Sequence, residues 1–344
     1  MKPNPTAPNR NGLTRLTRWA ERLARRSAAG LTVLAALGLS ACGSGSRVES
    51  FAPDRIVVFG DELSLLTTSG GTATAGRKYT INTVPDTTTG TIDCSQGPMW
   101  TQVLGTNFGF GMPDCGGTGN SVMLAANGAT VDQIVTQVSG YTGTMDSKTL
   151  VTVMGGLHDV LNAYAAYKAG SKTYDETFTQ VGDAGRTLGN LVNSIAKGGA
   201  GGRVIYVTMP DLGLSPYATV EGQAALLTGL TDKFNEQLRL AVTNDGRFVG
   251  LVTSDSLLRT MVSAYNASTT SNTYGLTNVA DWACAASATK DDWTSVLSCT
   301  NLTLASGAAA STTTYLWADA IHPGPNWQTR VGSAAVTRAT NNPF

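Results

Sequence analysis

Apolar positions along the chain fall into two alternating rhythms. Compact apolar runs, beginning with Arg55-Ile-Val-Val-Phe59 before Gly60 and recurring at residues 149–154, 203–209 and 248–253, read as strands buried on both faces. Between them, at residues 160–168, 178–196 and 224–242, apolar side chains return every three or four positions, which predicts helices with one buried stripe. Alternation of this kind implies an α/β fold with a parallel sheet covered on both faces. Two Thr/Gly/Ser-rich segments, 67–119 and 267–314, match neither period and read as long excursions at the edge of the sheet. No internal repeat is visible. Ligands of open parallel sheets bind outside the carboxyl ends of the strands, so site residues are expected just after the apolar runs.

The amino terminus has a different pattern. Arg10, Arg15, Arg18, Arg22, Arg25 and Arg26 precede an apolar run at about residues 28–39, which ends at Ser40-Ala41-Cys42. That run is shorter than the roughly 20 residues needed to cross a bilayer as a helix. Residues 1–41 are therefore expected to be a signal peptide. Leu39-Ser40-Ala41-Cys42 resembles the bacterial lipoprotein cleavage motif, with Cys42 as the lipidated first residue; the alternative is ordinary secretory cleavage with Cys42 incidental. Residues 42–50 then form a tether and residues 51–344 a single folded domain. Gly43, with no aspartate in its place, points to the outer membrane, on its periplasmic or surface face, and makes the lipid anchor a membrane contact.

Processing changes the charge. The 344-residue chain holds 24 basic and 24 acidic residues, of which seven basic and one acidic precede Cys42; the remainder carries 17 against 23, a net charge near −6. An acidic domain without basic runs excludes nucleic acid as a partner. A hydrophobic content of 42% with 14% charge is enough for a buried core. Four cysteines remain as two sequence-local pairs, Cys94 with Cys115 and Cys284 with Cys299, without the close spacing of a metal site. In an oxidising compartment they are expected to bridge, each closing a loop whose constraint stabilises by roughly 3 kcal/mol.

The strand-end blocks carry the chemistry. Phe59-Gly60-Asp61-Glu62-Leu63-Ser64 resembles the F-G-D-S-L-S block of the SGNH/GDSL hydrolases, and Asn127-Gly128-Ala129 resembles their second block. Gly156-Leu157-His158-Asp159 stands where that family has G-x-N-D, and Asp319-Ala320-Ile321-His322-Pro323 matches its D-x-x-H-P. Met209-Pro210-Asp211-Leu212-Gly213, Phe234-Asn235 and Tyr274-Gly275-Leu276-Thr277-Asn278 are similar to bacterial members. The resemblance implies a three-layer, flavodoxin-like α/β/α domain with about five parallel strands, an acyl ester, thioester or O-acetylated glycan as substrate, and no required cofactor. It also implies roles: Asp319 orients His322, Gly128 offers a backbone N–H to the oxyanion, and positions 62 and 158 correspond to the nucleophilic serine and an oxyanion-binding asparagine.

Here those two positions are Glu62 and His158. A carboxylate is a poor nucleophile toward an ester, so ordinary acyl-serine chemistry is not available at Glu62. Ser64 lies two residues from the family's tight turn, and its expected role is loop support. The chain's two histidines both lie in these blocks. Three readings are open: a divalent zinc, iron or manganese ion on Glu62, His158 and His322, with Asp319 orienting His322; a hydrolase in which Glu62 activates water; and a catalytically retired cleft that binds an ester or glycan. Trp100, Trp282, Trp293 and Trp317 are aromatic enough to line a groove, although packing is the commoner fate of such residues. Asp61 and Asp159 are expected to be structural hydrogen-bonders.

Overall fold

The computed structural model describes residues 51–68, 76–197, 201–243, 245–285, 289–308 and 311–341. The expected signal peptide, Cys42 and the tether lie outside the described residues. The fold is that of the unit Ser50–Phe344.

Five strands form the central sheet: β1 Arg55–Gly60, β2 Ser121–Met123, β3 Thr149–Met154, β4 Arg203–Val207 and β5 Val249–Val252. All pairings are parallel, in the order β2-β1-β3-β4-β5. Every side chain of β3, and all of β1 after Arg55, is buried, which is why these segments read as unbroken apolar runs. Among the described residues, eight helices surround the sheet: α1 Trp100–Asn107, α2 Val131–Gly140, α3 Leu157–Lys168, α4 Tyr174–Lys197, α5 Pro216–Glu221, α6 Ala224–Ala241, α7 Ser254–Ala267 and α8 Pro325–Asn341. Helices α2, α3, α4 and α6 pack with one another, and α1 and α7 pack with α8. The two groups result from the handedness of the crossovers. From β1 the chain steps outward through α1 to β2, then runs back across the sheet through α2 to α6, so the helices of the two directions cover opposite faces.

This order places a topological switch between β1 and β3, whose chains leave in opposite directions. The crevice outside their carboxyl ends is where such sheets bind ligands. Glu62 comes directly after β1 and His158 directly after β3.

The predicted strands and helices match observed elements to within a few residues. The two excursions join each other beside the Asp319–Pro323 block. Asn82 pairs with Thr300 as a parallel bridge and donates to the Cys299 carbonyl at 3.2 Å, while Asn301 exchanges hydrogen bonds with the Val84 backbone at 2.7 and 3.1 Å. Thr80 donates to the Pro323 carbonyl at 3.0 Å. Both disulfides are present, Cys94–Cys115 and Cys284–Cys299. Lys78 is fully buried; its ammonium donates to the Cys94, Gln96 and Gly97 carbonyls, and burial brings its pKa down to about 8. No described helix is long and apolar enough to cross a membrane.

Candidate active site

Four turns deliver the site. After β1, Asp61 caps a single 3-10 turn, Glu62–Ser64, by accepting the Leu63 N–H at 3.1 Å. Gln137 on α2 holds the preceding Gly60 from both sides: its side-chain oxygen accepts the Gly60 N–H and its amide donates to the Gly60 carbonyl, each at 2.9 Å. The Gly60 carbonyl also accepts the Ala126 N–H at 3.0 Å, which ties in the turn that carries Gly128. After β3, Gly156 starts α3 at φ +111°, where an added Cβ would lie 2.4 Å from the Phe234 ring. A side chain at 156 meets both an unfavourable backbone region and a filled space. Gly156→Ala is therefore expected to lose about 2–3 kcal/mol of stability, read as a lower urea midpoint with an unchanged slope.

His322 is positioned by its own turn. One Asp319 carboxylate oxygen accepts the Ile321 and His322 backbone N–H groups at 2.9 and 2.7 Å, and the other accepts the proton of His322 Nδ1 at 2.7 Å. That fixes the imidazole with Nε2 directed at the β1 turn.

The other three turns converge on Glu62. Its Oε1 lies 2.5 Å from His158 Nε2 and 3.4 Å from His322 Nε2, and its Oε2 accepts the Gly128 N–H at 2.9 Å. Glu62, Asp319 and His322 are 1% exposed or less, and of the four side chains only His158, at 13%, reaches solvent. Burial opposes ionisation of Glu62, but the hydrogen bonds from His158 and His322 outweigh it and hold the carboxyl far below the usual range. Burial also pulls His322 down, yet Asp319, and after it Glu62, hold it up at about 10. His158 is likewise raised by Glu62 against its own desolvation. Asp61 moves the other way: burial, and then the Glu62 charge, push it up to about 8, and its second oxygen has no hydrogen-bond partner among the described residues. At neutral pH His322 is therefore an imidazolium beside the Glu62 carboxylate, His158 is shifted toward its charged form, and Asp61 is protonated next to them.

The structure brings together all five residues nominated for chemistry. Glu62, His158 and His322 do converge, but as a hydrogen-bonded group, and no set of three or more His, Cys, Asp or Glu among the described residues is arranged to hold a metal ion. Ser64 is fully buried and makes no hydrogen bond to His322. Asp159 accepts the Val131 N–H at 3.0 Å, capping α2, and burial raises its pKa to about 6; it is structural, as expected. Trp100 and Trp317 are fully buried core residues. Trp293 instead stands against His158, with ring centroids 6.1 Å apart. Sequence reasoning missed Gln137 and Tyr79, whose ring lies 5.5 Å from that of His322; neither belongs to a block or a period that marks it.

This geometry agrees with a family model described as GDSL-like Lipase/Acylhydrolase, which matches residues 56–334. The chain belongs to the GDSL-like lipase/acylhydrolase family. No match is found among curated proteins. Solved structures similar to this GDSL domain include the lipase Lip_vut3 from a goat rumen metagenome, at 13% identity over 61% of this chain and 85% of that one, with a TM-score of 0.40. A member of the lipolytic G-D-S-L family from Veillonella parvula matches at 11% identity over 83% and 95%, TM-score 0.37. Est24, a carbohydrate acetylesterase from Sinorhizobium meliloti, matches at 15% over 82% and 96%, TM-score 0.38. In this GDSL domain Asp319 holds His322, the Gly128 N–H points at position 62, and Glu62 fills the space between them.

Proposed function

We propose that this GDSL protein is an exported lipoprotein, anchored through Cys42 to the outer membrane, that binds acylated ligands, either acyl lipids or O-acyl glycans, without turning them over by acyl-serine chemistry. One observation carries the reading: a single buried carboxylate, that of Glu62, accepts from His158, His322 and the Gly128 N–H at once. Three catalytic parts are disabled together. The nucleophile is missing. A His322 held protonated near neutral pH has no lone pair with which to take a proton. The backbone donor for a developing oxyanion is already occupied.

The same contacts disfavour Glu62 as a base on water, because a carboxylate stabilised by three donors is a weak base and is shielded from solvent. The N-terminal charge and apolar pattern supports export and anchoring, and the acidic remainder leaves nucleic acid aside.

The test is ester turnover by the purified protein on short- and medium-chain p-nitrophenyl esters near pH 7.5, with elemental analysis of the same preparation. We expect turnover at the buffer rate and zinc, iron and manganese well below one per chain. Hydrolysis that disappears in both Glu62→Gln and His322→Ala would overturn the reading in favour of a water-activating Glu62. Stoichiometric metal lost in His158→Ala would overturn it in favour of metal-assisted chemistry.

A further inference from the structure

Among the described residues, the solvent path that the Glu62 cluster's own side chains reveal runs past His158, and the ring standing beside His158 is Trp293. Trp293 is half-buried, and its orientation is fixed by a hydrogen bond from Nε1 to the Lys290 carbonyl at 2.7 Å. Its other aromatic neighbour is Tyr217 on α5, at 6.1 Å and 74°, so the indole stands between an imidazole and a phenol, steeply inclined to both. Both neighbours are themselves fixed, His158 by Glu62 and Tyr217 by burial.

The surroundings of this ring are polar. Lys290 lies 5.4 Å from the centre of the Tyr217 ring and pairs with Glu221 at 3.0 Å and Asp291 at 2.7 Å. Glu221 also accepts from Tyr164 at 2.7 Å and Lys168 at 2.5 Å. The residues flanking the indole in sequence are Lys290, Asp291, Asp292, Thr294 and Ser295. An acyl chain needs contiguous apolar surface to gain from burial, since its binding energy scales with the apolar area removed from water. A pyranose ring needs something different: a rigid aromatic surface for its C–H face, and charged or hydroxyl groups within reach of its own hydroxyls. One fixed indole among lysine, carboxylate and hydroxyl side chains is the second arrangement.

We infer that Trp293 is the stacking platform of a carbohydrate subsite at the mouth of the Glu62 cleft, and that the ligand is an O-acylated glycan rather than an acyl lipid. The inference rests on the reading of that cleft as a ligand site and names its ligand class. Lys290 and Asp291 supply hydrogen bonds at the rim, and the acyl group of a stacked sugar would face His158.

The experiment is binding of O-acetylated xylo-oligosaccharides and O-acetylated peptidoglycan fragments, measured by saturation-transfer NMR and titration calorimetry. The proteins compared are wild type, Trp293→Ala and Trp293→Tyr, with vesicles of phosphatidylglycerol and phosphatidylethanolamine as the lipid probe. We expect at least one of these glycans to bind wild type, Trp293→Ala to weaken it tenfold or more, and Trp293→Tyr to keep most of the affinity. Thermal melting within a few degrees of wild type confirms that the alanine variant is folded; if it is not, the tyrosine variant and the strength of saturation transfer from the tryptophan indole protons decide. Glycan binding indifferent to Trp293→Ala, or vesicle binding with no glycan binding, overturns the inference. Turnover by wild type would refute the non-hydrolytic reading by itself, and Trp293 would then be judged by whether its loss raises KM with kcat unchanged.

Discussion

Glu62→Ser combined with His158→Asn is expected to turn the protein into an esterase, raising kcat/KM for p-nitrophenyl acetate on the order of 100-fold or more above wild type. The supporting machinery is already set. His322 is held by Asp319 with Nε2 aimed at position 62, and the Gly128 N–H points at the same place. Removing the Glu62 carboxylate frees that N–H for an oxyanion, and the amide introduced by His158→Asn adds a neutral donor where an imidazole now binds an anion. Loss of the Glu62 charge also removes one of the two carboxylates that hold His322 protonated, so its pKa falls from about 10 while Asp319 still supports it. A base works only when neutral, so the gained activity should rise with pH through the new His322 value. Glu62→Ser alone should give a smaller gain, since it lacks the amide donor that His158→Asn supplies. If the double variant stays at the buffer rate, the cleft differs from a working hydrolase at more than these two positions.

Much of this was legible in the sequence, for identifiable reasons. The strands β1, β3, β4 and β5 are buried along most of their length, so each reads as a compact, mainly apolar run. The edge strand β2 is three half-buried residues and has no period to detect. Helix α1 lies in a segment whose Thr and Gly content suppresses the helical stripe, and it becomes a helix through packing on α8, a contact that no local pattern encodes. The site blocks were readable because they resemble the GDSL hydrolase blocks in sequence and order, and strand ends are where such a sheet is expected to carry its site. How Glu62 distributes its hydrogen bonds was not readable: a sequence shows two imidazoles and a carboxylate, which suits a metal equally well, and the 2.5 Å contact between His158 and Glu62 is visible only in the fold. The meeting of the two excursions beside His322 depends on single side chains, Asn82, Asn301 and Thr80, that nothing in the pattern distinguishes from their neighbours.

Glu62→Ala should cost about 3–5 kcal/mol near pH 6, because it leaves buried imidazoles without their shared partner. In a domain of this size that lowers Tm on the order of 10 °C. The pH dependence identifies the cause. Glu62 has a folded pKa below its unfolded value, so its contribution is complete above about 4.5 and is lost as pH falls through the depressed value. His322 has a folded pKa of about 10 against 6.5 unfolded, so its contribution is complete below about 6.5 and declines as pH rises to 10. Both are at full strength between about 4.5 and 6.5. The gap between wild type and Glu62→Ala, measured by urea unfolding at pH 5.5, 7.5 and 10, should be widest at 5.5 and narrow steadily toward 10. Asp319 remains in both proteins, so the narrowing reports the Glu62 share alone. A gap of the same size at all three values would mean that Glu62 stabilises by filling space, and the account of the site as a locked ion cluster would fail with it.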